Sequence, residues 1–154
     1  MAQDMQAFAN IPVIKPGDHQ AGIAGDSINM GRLRRVVFHI MFGSLTGDAV
    51  LTIKSGATEG TETTAETFGY MLGAQAQGTD GADTFGTRAT SSSLTLTAAS
   101  YQNRLLVCEI DASSLTTGQP WVTLAFSAAA DALNAAVTAY GFPRYASAAG
   151  LGAL

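Results

Sequence analysis

Two histidines, one cysteine and twelve carboxylates are the side chains through which this sequence could do acid–base, nucleophilic or metal chemistry. His39 stands among Phe38, Ile40 and Met41, on the opposite strand face from Phe38 and Ile40, and is read as a hydrogen-bonded sheet or interface histidine. His19 follows Asp18 without a second ligand at metal-binding spacing, and is read as part of a turn. Glu59, Glu62 and Glu66 recur at spacings of three and four. On a helix these like charges would repel, so a solvated loop is expected. Asp80 and Asp83 lie in GTDGADTF, which lacks the alternating oxygens and terminal glutamate of a calcium loop. Cys108 falls at an apolar strand position, where a buried, inert thiol is expected. There is no Gly-x-Ser-x-Gly elbow and no phosphate-binding glycine loop. The chemistry therefore points to a protein that is not an enzyme and uses no cofactor or metal.

The elements that would position these residues are strands. RRVVFHIMFGSLTGDAVLTI (34–53) and RLLVCEIDASSLTTGQPWVTL (104–124) match when Ser44-Leu45-Thr46 is laid on Ser114-Leu115-Thr116. Arg34 then falls on Arg104, Val36 on Leu106, Phe38 on Cys108 and Ile40 on Ile110. Past an extra Thr117 in the turn, Leu51 and Ile53 fall on Val122 and Leu124. Side chains alternate across a strand, so the inward faces agree in parity. Two hairpins meeting one packing demand are preferred over a true duplication. The match predicts Val36, Phe38, Ile40, Leu51, Ile53, Leu106, Cys108, Ile110, Val122 and Leu124 as one core. Further alternation marks strands at 67–72, 94–97 and 135–139, with a weaker one at 84–90. Turn-rich stretches separate them, and no segment carries a long helical period. About eight short strands define an all-β sandwich or barrel.

Residues 1–30 are expected to form an extended amino-terminal arm, because Pro12 and Pro16 forbid a central strand. The sandwich is placed at 31–141, and the small, glycine-rich stretch 142–154 is a second arm. Phe8, Ile11, Val13 and Ile14 have nothing local to bury them in this reading. They should dock on a neighbouring subunit, so a chain lacking residues 2–14 is expected to fold yet bind its partner poorly. Arg32, Arg34 and Arg35 are expected to meet carboxylates of a partner. Trp121, on the strand face opposite Val122 and Leu124, and Tyr145 are further candidate contacts.

Composition limits the partners. Only 13% of residues are charged, against about a quarter in ordinary domains. A net charge of −4 opposes nucleic-acid binding, which needs a basic footprint. MAQDMQAFAN has neither the basic nor the apolar region of a secretory signal, and no run is apolar enough to span a bilayer. No membrane association is expected, and synthesis in a cytoplasm is.

With these features the chain resembles small virion proteins of tailed bacteriophages. The stretches that carry the resemblance are NIPVIKPGDHQAGI, GDAVLTIKSGATEGTETTAETFGYML, and GQPWVTLAF followed by GFPRYA. It covers most of the chain in style, without a diagnostic motif. It implies a capsid decoration, or cement, protein: a jelly-roll-like antiparallel sandwich, commonly a homotrimer, clamping the major capsid protein on the outside of a shell. A tail-tube, connector or fibre subunit and a carbohydrate-binding sandwich module are the alternatives. The single Trp argues against the last.

Overall fold

The computed structural model describes residues 8–144. In chain order its strands are β1 (Ala9–Asp18), β2 (Ile23–Ala24), β3 (Ile28–Asn29), β4 (Leu33–Leu45), β5 (Ala49–Gly56) and β6 (Thr64–Ala65). They continue as β7 (Phe68–Leu72), β8 (Ala89–Ser91), β9 (Leu94–Leu96), β10 (Leu105–Asp111), β11 (Trp121–Phe126) and β12 (Leu133–Pro143). One helical turn, α1 (Ala98–Tyr101), and a 3-10 turn at Ala112–Ser114 complete the elements. One sheet has the order β1-β12-β4-β10-β7-β8. The other runs β2-β11-β5-β6, with β3 also on β11 and β9 also on β5. Every ladder is antiparallel.

The pairing is that of a jelly roll. Take β1, β3, β4, β5, β9, β10, β11 and β12 in chain order: the first pairs with the last, the second with the seventh, the third with the sixth and the fourth with the fifth. This is one long hairpin rolled into two facing sheets. β6, β7 and β8 are inserted between its fourth and fifth strands, and β7–β8 widens the first sheet beyond β10.

The repeated phrase has a geometric origin that differs from the expected hairpins. β4 lies in one sheet and β5 in the other, and the same is true of β10 and β11. Each phrase is therefore an arch that crosses the core, which lets both of its strands turn an apolar face inward. The two arches are related by a pseudo-dyad. Phe38, matched to Cys108 in sequence, is its cross-strand partner, and Ile53 is likewise paired with Leu124. The relation extends outward, because β12 flanks β4 as β7 flanks β10, and β1 and β8 close the two edges.

All ten residues predicted as core are buried, with Phe38, Ile40, Leu51, Ile53 and Leu124 fully so. The strands expected at 67–72, 94–97 and 135–139 are present as β7, β9 and β12, and the weak candidate at 84–90 contributes only its end to β8.

Residues 9–18 depart from the expected arm. They form β1, paired with β12 from Ala9↔Gly141 to Asp18↔Asn134. The prolines are accommodated because β1 is an edge strand, with register shifts between Pro12 and Ile14 and again before Gly17. Val13 and Ile14 are buried in the chain's own core, and Ile11 packs against it. At Gly25 an added Cβ would come within 2.5 Å of Val13 Cγ1, so glycine lets the chain pass close over β1.

Candidate interaction face

The outward side of the first sheet can be built row by row from the ladder registers. Ala136, Met41 and Leu105 form one row. The next contains Pro12, Thr138, His39, Val107 and Met71. A third holds Asn10, Tyr140, Val37, Glu109, Gly69 and Thr90. Phe142, Arg35 and Asp111 end the series. The first two rows are thus mainly apolar and carry no carboxylate, lysine or arginine, and the third is mixed, with Glu109 its one charged member. Met41 is 44% exposed, and Val37, His39, Leu105, Val107 and Tyr140 are half-buried. Five residues on each of four strands cover about 17 Å by 19 Å, on the order of 300 Å² in projection. Patches of that size on a single chain often mark contact surfaces.

The second sheet is finished differently. Its outward positions include Thr52, Lys54 and Thr123, and loops lie across them. Ser27 Oγ is 2.7 Å from Thr123 Oγ1 and accepts from Gly60 N–H at 3.0 Å. Among the described residues no comparable loop crosses the centre of the first sheet's outer face.

Charge is confined to one end of that face. Arg35 binds Asp111 through both Nε (2.8 Å) and Nη2 (3.1 Å), and its Nη1 lies 3.5 Å from Glu109. Arg88 Nε donates to Glu109 at 2.7 Å. Arg88 lies flat over Gly69, where a Cβ would collide with its guanidinium. The Arg35 hydrogen bond holds the Asp111 carboxyl below its ordinary range. His39 stacks edge-on against Tyr140 at 4.9 Å, and burial pushes its pKa below the ordinary value.

The predicted contact residues separate. Phe8 packs on Tyr140 (5.3 Å) and Phe142 (6.4 Å), beside the face. Val13 and Ile14 are interior, and Ile11 is half-buried against the same core. Arg35 is satisfied inside the chain by Asp111 and Glu109, because cross-strand pairing sets it directly opposite Asp111. Arg34 is exposed and lines an open groove of about 600 Å³ with Arg35, Asp111, Phe142 and Arg144. Arg32 accepts the Arg144 N–H through its carbonyl. Trp121 is half-buried on the outward side of the second sheet and does not line this groove. Tyr145 lies outside the described residues.

One carboxylate expectation changes, while His19 opens the turn expected of it, its carbonyl accepting from Gly22 N–H at 2.8 Å. Glu66 is buried, not solvated: it accepts from Ser55 Oγ at 2.5 Å and from Thr116 N–H at 2.9 Å. Burial opposes its charge, but the Ser55 and Thr116 hydrogen bonds win and leave its pKa below the ordinary value. Ser55 Oγ is also 2.7 Å from the Gln119 amide. The near atom is Gln119 Oε1, and one hydroxyl proton cannot serve it and Glu66 together, so the pairing is satisfied with the amide turned to donate its NH₂ to Ser55. His19 is buried, with Nε2 3.0 Å from the Lys15 carbonyl, and ties the end of β1 to the following turn. Burial drives the Cys108 thiol far up, away from any nucleophilic form. Among the described residues no three His, Cys, Asp or Glu side chains are grouped to hold a metal.

The face residues Val37, Met41, Val107 and Tyr140 went unremarked in the strand alternation, although their own apolarity was a signal. No protein-family description matches the chain, and no curated protein matches it. Among solved structures it is similar in fold to the SPBc2 prophage-derived protein YomS. The TM-score is 0.50 at 12% identity, over 87% of this chain and 91% of that one. A structure of infectious bursal disease virus, Gx strain, aligns over 87% of this chain and 39% of the other at 12% identity, but with a TM-score of 0.22 it carries no argument.

Proposed function

We propose that this chain is a non-enzymatic structural subunit of a tailed-phage particle, and within it a capsid decoration protein that self-associates and seats on the major capsid protein. The observation that carries the reading is the outer face of the first sheet, crossed by no loop among the described residues and built at its centre from Val37, Met41, Leu105, Val107 and Tyr140. A surface of this kind favours contacts that exclude water and need few charges to be desolvated. The fold likeness to a prophage-derived protein supports the phage setting. The jelly roll supports a subunit role, because it is an architecture used in capsid domains.

Arg88, Glu109, Arg35 and Asp111 give the face one polar border. That border would fix orientation on a partner, while the apolar rows would supply most of the affinity. The test is binding to emptied shells of the cognate phage, with copy number per shell measured by mass spectrometry. Stoichiometric binding to the shell, weakened by Met41→Asp or Val107→Asp, is the expected result. Recovery of the protein only with tails, or unaltered binding by both folded variants, would refute the decoration reading.

A further inference from the structure

Two features, one at the charged end of that face and one in a loop beyond its other end, complement one another. The first is the groove beside the start of β4. Three guanidiniums, from Arg34, Arg35 and Arg144, share it with a single carboxylate, Asp111, and with the ring of Phe142. Arg35 is already committed to Asp111 and Glu109. Arg34 makes no ion pair among the described residues, and Arg144 uses only Nε, donating to the Leu33 carbonyl at 3.0 Å. In a chain of net charge −4 this groove is a local excess of positive charge with an apolar wall.

The second is the loop between β7 and β8. Asp80 and Asp83 are exposed there without an ion-pair partner among the described residues, and Phe85 just beyond them is 38% exposed. The other acidic loop is a poorer match, because Glu62 is bound to Lys54 at 3.2 Å and no exposed aromatic accompanies Glu59. The β7–β8 loop is pinned near the far end of β4, where Gln77 Nε2 donates to the Phe42 carbonyl at 3.1 Å. From Arg35 to Phe42 a strand extends about 24 Å, so the loop cannot reach the groove of its own chain.

We infer that the Asp80–Asp83–Phe85 loop of one copy docks in the Arg34–Arg144–Phe142 groove of the next. The contact joins two different patches, so it is head-to-tail and generates a closed ring or an open filament according to the rotation at each step. Asp80 and Asp83 meet the guanidiniums of Arg34 and Arg144, while Phe85 covers Phe142. This inference rests on the subunit reading only in requiring self-association. It does not depend on what the apolar face binds, and shell binding can fail while it holds.

The test is light scattering of the full chain over a range of concentration and salt. The unmodified protein should associate, and less so as salt rises. Arg34→Glu, or Asp80→Lys with Asp83→Lys, should raise the dissociation constant by at least about tenfold, since each sets like charges together. A chain carrying all three changes restores an opposite-charge pair at Arg34, while Arg144 still opposes a lysine, so it should recover association in part. The three sites are exposed, so circular dichroism and melting should remain those of the unmodified chain. Arg34→Gln and Asp80→Asn with Asp83→Asn provide milder forms should a reversal disturb the fold. A strictly monomeric protein at millimolar concentration would overturn the inference. So would loop reversal that leaves association intact, which would assign the groove to another acidic segment or partner.

Discussion

Phe38 and Val37 are neighbours in sequence but stand on opposite faces of β4, so truncating each measures the two faces separately. Phe38 is fully buried and sits between Cys108 on β10 and Ala139 on β12. Both of those partners are small, and neither can expand into the space a lost ring would leave. Phe38→Ala should therefore cost about 3–5 kcal/mol. For a domain of this size each kcal/mol lowers the melting temperature by about 2–4 °C, so the expected drop is about 6–20 °C. Val37→Ala removes less carbon from a half-exposed site and should cost about 1 kcal/mol or less. Chemical denaturation read by circular dichroism gives both values. Cys108 offers an independent local probe, because its buried thiol should label only through opening of the sandwich in the unmodified chain. Labelling should accelerate in Phe38→Ala and hardly change in Val37→Ala. Equal destabilisation by the two substitutions, or a Cys108 that labels quickly in the native chain, would refute the assignment of inner and outer faces. The candidate interaction face would fall with it.

Removal of residues 2–14 should strongly destabilise the chain, since it deletes most of β1 with Val13 and Ile14; melting curves of the full and shortened chains decide. Glu66→Gln should cost about 1–3 kcal/mol by weakening the acceptor for Ser55 and Thr116. It should also reduce the loss of stability on acidification below Glu66's ordinary value of 4.5, leaving the part that belongs to Asp111, both seen in denaturant titrations at several pH values. The folded chain favours neutral His39, so the unfolded chain takes up a proton first as pH falls. Stability from this residue is present above its ordinary value of 6.5 and is lost below it. His39→Gln should flatten that slope, and an unchanged slope would show that His39 is not its source.

The sandwich was legible because its core strands are written in strict parity. Val36, Phe38 and Ile40 recur at every second residue, and so do Leu106, Cys108 and Ile110; the ladders pair these two sets directly. Parity does not reveal which sheet a strand joins. A turn after Ser-Leu-Thr reads the same whether it closes a hairpin or carries the chain across the core, so alternation alone reads each arch as a hairpin. β1 was hidden for a different reason. Two prolines argue against a central strand, and the sequence does not say that β12 has a free edge on which they cost little. Glu66 was misread because its neutralising donors, Ser55 and the Thr116 N–H, are brought to it by tertiary packing.

The outer face was legible in part, through a feature that alternation alone passes over. A strand with one face in water should interrupt its apolar residues with polar ones, as β5 does with Thr52 and Lys54 between Leu51, Ile53 and Ser55. β4 instead runs Val36-Val37-Phe38-His39-Ile40-Met41-Phe42, and β10 begins Leu105-Leu106-Val107-Cys108. Such continuous runs are the signature of strands covered on both sides. The core covers one side, through Val36, Phe38, Ile40 and Phe42. The second sheet has its own loops across it, held by Ser27 and Gly60, but the centre of the first sheet has none among the described residues. The sequence of β4 is thus suited to a strand buried on both sides, while the described residues bury it fully on one. A second chain laid on Val37, Met41 and Val107 would remove that mismatch, and the same substitutions that test shell binding test whether it does.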